Sequence, residues 1–336
     1  MEEKDFETLR KTYQEFIYES YELQEDDTYI YLKFCFQIPK LCEFEPVIMI
    51  KKKHLNFYHM QSESVQNLCF HIGLIELISY WKICCPKKII IKAGCLNEEQ
   101  IAWFQKLYYL GLGEFRYMNH IQISEENFLD IVIEHAPAKK ANNTLQEAQR
   151  KGVLIPIGGG KDSNVTLELL KQTREDNLCI TVGAKEISIE CAKIAGYDDE
   201  KIIEVIRKID PRLLELNKQG FLNGHTPFSA LLAFLTYFIA VITNKKYIAL
   251  SNESSAEQTN VKDENINHQY SKTLEFENDF RAYADQYLGE DVTYFSLLRP
   301  INELQIAMLF AKLKQYHKTF KSCNVGSKGT EWKWCR

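Results

Sequence analysis

The chain has 336 residues, a formal net charge of -5 and 45% hydrophobic residues. That length suits two ordinary domains, or one large α/β domain with an N-terminal extension. Gly and Pro are too few for long collagen-like or disordered segments, and the mild acidity argues against a nucleic-acid-binding face, which needs basic charge.

The first 25 residues are charged and periodic and predict a helix. Residues 28–36 are β-branched and aromatic and predict a strand, with a second strand over Pro46–Ile50. An amphipathic helix is expected over 63–81, with Leu68, Ile72, Leu74, Ile75 and Ile78 on its apolar side. Lys88–Ala93 reads as a short strand. Asn97–Tyr109 reads as a helix, with Asn97 as its cap before an acidic first turn. Residues 136–150 are polar, and the domain boundary is placed there, dividing the chain into 1–145 and 146–336.

Beyond the boundary, short apolar runs alternate with helical periods. Val153–Ile157, Cys179–Val182 and Tyr247–Leu250 predict strands; Asn164–Gln172, Ser188–Ala195 and Pro227–Ile242 predict helices, the last with Thr226 as cap and Pro227 in its first turn. Strands of this kind, separated by helices, indicate a parallel sheet covered on both faces, which binds ligands at the carboxyl ends of its strands.

The longest apolar stretch, Phe228–Thr243, is 16 residues long, short of the roughly 20 that a spanning helix needs. It predicts a buried helix and no membrane association. The acidic N-terminus lacks an apolar signal region, so a cytoplasmic protein is expected, with its ten cysteines reduced. Most of these sit in apolar runs and predict core packing. Cys84 and Cys85 are adjacent and lack the spacing of a chelating pair.

The strongest chemical signal is Gly158-Gly159-Gly160-Lys161-Asp162-Ser163, between a predicted strand and a predicted helix. Consecutive glycines allow positive φ and close backbone approach, and successive N–H groups at a helix start form an anion-binding concavity. The Walker pattern fails, because position 155 is Ile and Asp162 follows the Lys. A dinucleotide fingerprint fits Gly158 and Gly160 but not Ser163, although Glu186 could serve as its ribose acid. A glycine-rich turn without a ligand is the bland alternative.

The stretch resembles the pyrophosphatase loop of N-type ATP pyrophosphatases, Ser-Gly-Gly-x-Asp-Ser, at every defined position but the first. There Gly158 replaces Ser, with the loss of one hydroxyl donor. That resemblance implies an adenine nucleotide alpha hydrolase-like parallel sheet, here with an N-terminal α+β domain. It also implies ATP as the nucleotide, cleaved between its α- and β-phosphates to leave AMP on a substrate oxygen, with Mg²⁺ neutralising the phosphates.

Four polar clusters follow: Asn223–Pro227 with His225, Ser251–Ala256 with Asn252 and Glu253, Asn267–Lys272 with His268, and Arg299–Glu303. Each also reads as a capped helix start or a solvated loop. In combination with the glycine turn, with Phe276-Glu277 and Ser322-Cys323-Asn324, and with Phe70–Trp81 and Gly111–Phe115, they resemble the MurL family, ATP-dependent epimerases of UDP-N-acetylmuramoyl dipeptides.

The resemblance implies inversion of the terminal L-glutamate of a UDP-linked muramoyl dipeptide through carboxylate adenylation. Gly158, Gly159, Gly160, Lys161, Asp162, Ser163 and Asn252 would bind the nucleotide, Asp162 and Glu253 the metal. The proton-transfer candidates are His225, His268, Lys272 and Cys323. A further adenylating enzyme, such as an amide ligase or a tRNA- or nucleobase-modifying thiolase, and a non-catalytic nucleotide-binding module remain alternatives. Relatives carry a Cys-rich end; here Cys323 and Cys335 alone cannot complete a tetrahedral zinc site, and His317 is a poor third ligand.

Overall fold

The structure, a computed structural model, describes residues 4–52, 57–58, 60–134, 150–183, 186–257, 270–289 and 291–322. Among them one mixed sheet of eleven strands runs through the molecule. The strands are β1 Glu15–Glu25, β2 Tyr29–Ile38, β3 Cys42–Phe44, β4 Val47–Lys51, β5 Lys88–Ile91, β6 Asp130–Ile133, β7 Val153–Pro156, β8 Leu178–Val182, β9 Ile202–Lys208, β10 Tyr247–Leu250 and β11 Thr293–Ser296. Their order is β11-β10-β7-β8-β9-β4-β2-β1-β5-β6, with β3 beside β2.

The N-terminal charged stretch is a helix only over Phe6–Thr12, capped by Asp5, whose carboxylate accepts the Thr8 N–H at 2.9 Å. The rest of the expected helix is β1. Pairing wins over local periodicity here. Asp26 accepts the N–H groups of Thr28 and Tyr29 at 2.7 Å each and closes a turn, and β2 then pairs antiparallel with β1 along nearly its whole length, Ile17 opposite Gln37 through Glu25 opposite Ile30.

The helix expected over 63–81 divides into Glu63–Glu76 and Ile78–Trp81. It is not amphipathic in situ. Residues Leu68 to Glu76 are all buried, because β1 covers one side and the helix Phe228–Ile242 the other. The latter is the expected buried helix, apolar all round. Its expected cap is corrected: Pro227 occupies the cap position, with no side-chain bond from Thr226, and its ring lies against Gly111.

Strands β6, β9 and β11 were not legible as strands. β9 pairs parallel with β8 on one side and antiparallel with β4 on the other, Val47 opposite Lys208. The N-terminal and C-terminal strands are therefore hydrogen-bonded into one sheet. The expected domain boundary falls in 135–149, outside the described residues.

A buried ion pair backs this seam. Glu76 is fully buried and accepts two bonds from Arg207 Nε, at 3.0 and 2.8 Å, while Arg207 Nη2 donates to Ser79 Oγ at 2.8 Å.

From β9 to β11 all pairings within the C-terminal group are parallel, and the order β11-β10-β7-β8-β9 reverses between β7 and β10. A crevice opens at such a reversal, outside the carboxyl ends of the two central strands.

Candidate functional site

The two segments that leave the sheet at this reversal are the glycine turn after β7 and Ser251-Asn252-Glu253 after β10. A hydrogen bond of 2.9 Å between the hydroxyls of Thr166 and Ser251 ties them together. Each glycine of the turn has its own surroundings. A Cβ at Gly158 would meet nothing within 4 Å, so the turn is open in front. Gly159 has φ +78, and a Cβ there would lie 2.7 Å from Ile187 Cγ2. Gly160 caps the helix Lys161–Leu169 without a side chain, and a Cβ there would come 3.2 Å from Ser322 Oγ.

Three charged groups expected at the site gather here. Lys161 Nζ bonds Asp162 at 2.8 Å and Glu303 at 3.2 Å. Burial works against its charge, yet the bonds to these carboxylates hold its pKa above the ordinary lysine value. Lys272 is half-buried, and burial lowers its pKa although the carboxylates of Asp162 and Glu253 pull it back up. Ser163 Oγ donates to the Gly160 carbonyl at 3.1 Å.

Behind the turn, Asn164 is fully buried, and neither of its amide atoms has a hydrogen-bond partner among the described residues. Its neighbour is the weakly polar thiol of Cys191, which burial pushes up to about 11. An unsatisfied buried amide costs about 1–3 kcal/mol.

Arg299 and Glu277 join the loops around the turn, a role that sequence reading did not give them. Arg299 donates to the carbonyls of Glu253 at 3.1 Å and Lys272 at 2.8 Å, and to Glu277 Oε2 at 3.1 Å. Glu277 also accepts the Ser296 N–H at 3.2 Å, and Asn252 Nδ2 donates to Ser296 Oγ at 3.1 Å. One guanidinium thus fixes the two loops that carry Glu253 and Lys272. The only signal for it was the Arg299-Pro300 pair opening the fourth polar cluster. Asn302 of that cluster forms a capping box with Gln305, so the reading of the cluster as a capped helix start holds.

Of the remaining candidates only His225 and His317 lie among the described residues. His225 is exposed on a segment held to the N-terminal half. Lys82 donates to Gly224 O and Asn223 Oδ1, and Asn119 Nδ2 donates to Asn223 O at 3.1 Å. Burial and the nearby Arg207 push Lys82 down to about 8. His268, Cys323 and Cys335 lie outside the described residues. His317 packs its ring on Phe310 and Phe320. Among the described residues no three His, Cys, Asp or Glu groups converge as a metal cage, and no helix is long and apolar enough to cross a membrane.

Similarity to known proteins fits this layout. Residues 7–297 match the family model described as the MurL N-terminal domain. A protein of Xanthomonas oryzae pv. oryzae named UDP-N-acetyl-alpha-D-muramoyl-L-alanyl-L-glutamate epimerase is 34% identical over 263 residues, 78% of this chain and 56% of its own. Relatives of the same name from Micromonospora sp. and Salinispora tropica are each 32% identical, over 79% of this chain and 58% and 57% of theirs. The chain thus spans a little over half the length of these relatives. On the match of its residues 7–297, the chain belongs to the MurL family through that family's N-terminal domain.

Proposed function

We propose that this chain binds ATP in the Gly158–Ser163 turn and uses it to epimerise the terminal L-glutamate of UDP-N-acetylmuramoyl-L-Ala-L-Glu, in peptidoglycan precursor synthesis. The observation that carries the reading is the meeting, at the strand-order reversal, of an open glycine turn with the loop of Glu253, tied to it through Thr166 and Ser251 and to Lys272 through Arg299. The shared name of the relatives supports the substrate.

The turn's amides and Lys161 would hold the β- and γ-phosphates, which leave as pyrophosphate, and the unsatisfied Asn164 is consistent with a polar guest. Asp162 and Glu253 would hold Mg²⁺, whose charge would offset that of the phosphates. Two carboxylates fit that ion, which keeps several waters and takes the rest of its shell from phosphate.

The chemistry follows from the carboxylate. Loss of the α-proton beside a carboxylate would put two negative charges side by side. Attack of the carboxylate oxygen on the α-phosphorus expels pyrophosphate and leaves a mixed anhydride with AMP, in which the acyl group no longer carries the carboxylate charge and the remaining charge sits on the phosphate. A side-chain base then removes the α-proton, an acid returns one to the opposite face, and water releases AMP. Lys272 suits one transfer, since burial lowers its pKa and leaves more of its amine unprotonated than in an ordinary lysine. His225, His268 and Cys323 are the candidates for the other.

The test is to incubate the UDP-linked dipeptide with the chain, ATP and Mg²⁺ in deuterium oxide. The reading expects AMP, pyrophosphate and D-glutamate carrying α-deuterium. Glutamate that stays L and unlabelled while ATP is consumed would point to a different adenylating enzyme. No consumption of ATP at all would remove the catalytic reading of this chain.

A further inference from the structure

We propose that Ser322, 159 positions beyond Ser163 in the chain, is part of the phosphate turn and supplies the hydroxyl that Gly158 lacks. The proposal rests on the nucleotide reading of that turn.

The last described segment of the chain lies on the glycines. The Lys321 N–H donates to Gly159 O at 2.9 Å, and the Lys161 N–H donates to Ser322 Oγ at 2.9 Å. Gly160 makes room for this contact, because even one carbon on it would approach Ser322 Oγ to 3.2 Å. Its φ of -88 is open to any residue, so the glycine serves proximity here rather than backbone conformation.

A serine hydroxyl has one proton and two lone pairs. At Ser322 the oxygen accepts from the helix start, so its own proton points away from that N–H. Among the described residues no acceptor takes it. The side chain is exposed. The turn therefore holds a hydroxyl donor at the mouth of a helix start whose cap residue has no side chain. Anions are stabilised at such a start, and a hydroxyl whose proton faces outward adds one further donor to an entering phosphate.

Position 158 is where the pyrophosphatase loop carries a serine. Here it is glycine with open space around it. Its φ is not among the positive ones, so a serine fits without strain. This gives the proposal a specific rescue.

The experiment measures dissociation constants of ATP and of inorganic pyrophosphate for the full chain by calorimetry, with thermal unfolding alongside. Ser322→Ala is expected to weaken both ligands about tenfold, as loss of a hydrogen bond to a charged group does. Ser322→Thr should restore them. Gly158→Ser placed in the Ser322→Ala background should also restore most of the affinity, which a purely structural cap at Lys161 would not allow.

Two results overturn the proposal. One is Ser322→Ala with lowered thermal stability and unchanged affinities, which makes the residue a helix cap only. The other is rescue by threonine without rescue by Gly158→Ser, which denies the equivalence of the two hydroxyls. If the unaltered chain binds neither ligand, the nucleotide reading itself fails, and that result is distinct from both.

Discussion

The N-terminal and C-terminal strands share one sheet but treat buried polar groups differently. In the N-terminal half such groups satisfy one another. Gln100 donates to the Tyr283 hydroxyl at 2.9 Å, Tyr283 donates to His71 Nε2 at 2.8 Å, and His71 Nδ1 donates to the Asn67 carbonyl at 2.7 Å. Tyr108 donates to Leu74 O, and Tyr18 to Phe70 O. Beyond residue 150 satisfied groups such as Tyr283 and Thr166 stand beside unsatisfied ones. Among the described residues, buried side-chain polar atoms without a hydrogen bond occur on Arg116 before it and on Asn164, Thr181, Ser188, Tyr197, Asn217 and Tyr294 after it. Ser188 N lies 3.3 Å from the Cβ position of Gly159, so two of these residues border the turn. Unpaired groups are expensive, and most of those described lie beyond residue 150.

The largest expected effects come from breaking the two buried ion pairs, Glu76–Arg207 at the seam between the halves and Glu277–Arg299 beside the turn. Glu76→Gln leaves the Arg207 charge buried without its counter-ion, a loss of about 3 kcal/mol, read by urea unfolding. ATP affinity should hold. Glu277→Gln strands Arg299 in the same way and should cost a similar amount, but here Arg299 also anchors the carbonyls of Glu253 and Lys272. Turnover of ATP should therefore fall at least tenfold at temperatures where the variant is folded. Equal effects of the two variants on turnover would erase the distinction between the halves.

Next in size is the pH response of the satisfied network. Burial pushes the His71 imidazole down to about 4, from an ordinary value near 6.5. The unfolded chain then binds the proton more readily than the folded one. This contribution to stability is whole above pH 6.5, declines as pH falls, and is lost at about pH 4, on the order of 3 kcal/mol. Thermal unfolding across that window should flatten in His71→Leu relative to the parent. A parallel slope in both proteins would show that the titration lies elsewhere.

The contrast also explains what was legible in sequence. β2, β7, β8 and β10 are short runs of apolar or β-branched residues bounded by polar turns, and periodicity alone finds them. The glycine turn announces itself because three successive glycines need a reason. Asn97 was legible as a cap from the acidic first turn that follows it; its capping-box partner Gln100 was not singled out. β1 was not, because its outer half, Glu19 to Glu25, is largely exposed and takes its conformation from pairing with β2. β9 carries Glu204, Arg207 and Lys208 within seven residues, charges that make sense only once Glu76 and the Lys51 amine are placed beside it. The same holds for Arg299, Glu277 and Ser322. Each acts across a long sequence separation, on a loop that no local pattern connects to it.

A smaller effect separates the neighbouring glycines. Gly159→Ala forces a side chain into left-handed backbone, about 1–2 kcal/mol, and into contact with Ile187. It should lower stability and ATP affinity together. Gly158→Ala meets no atom and no strain, so thermal unfolding should be unchanged within error. A stability loss in the second variant as large as in the first would mean that the turn is packed rather than open.

The smallest expected difference is the most discriminating, because it sets the same chemistry in both halves. Asn97 and Asn302 each close a capping box, with Gln100 and with Gln305, and replacement of either by alanine should cost about 1 kcal/mol. Their consequences differ in what the first turn carries. Glu98 and Glu99 follow Asn97, and Glu99 accepts from Gln286 at 3.1 Å and from the Tyr287 hydroxyl, so that change stays within the packing of the N-terminal helix. Glu303 follows Asn302 and bonds Lys161 at 3.2 Å. Fraying that turn draws a carboxylate away from the cation that would meet phosphate, and a phosphate gains from its departure. Asn302→Ala should therefore lower the KM for ATP by up to about threefold in steady-state assays, at about the energy of a weakened surface pair, whereas Asn97→Ala should leave it alone. If both variants lose stability and neither changes KM, Glu303 has no part in tuning Lys161, and the C-terminal cap is as purely structural as its N-terminal counterpart.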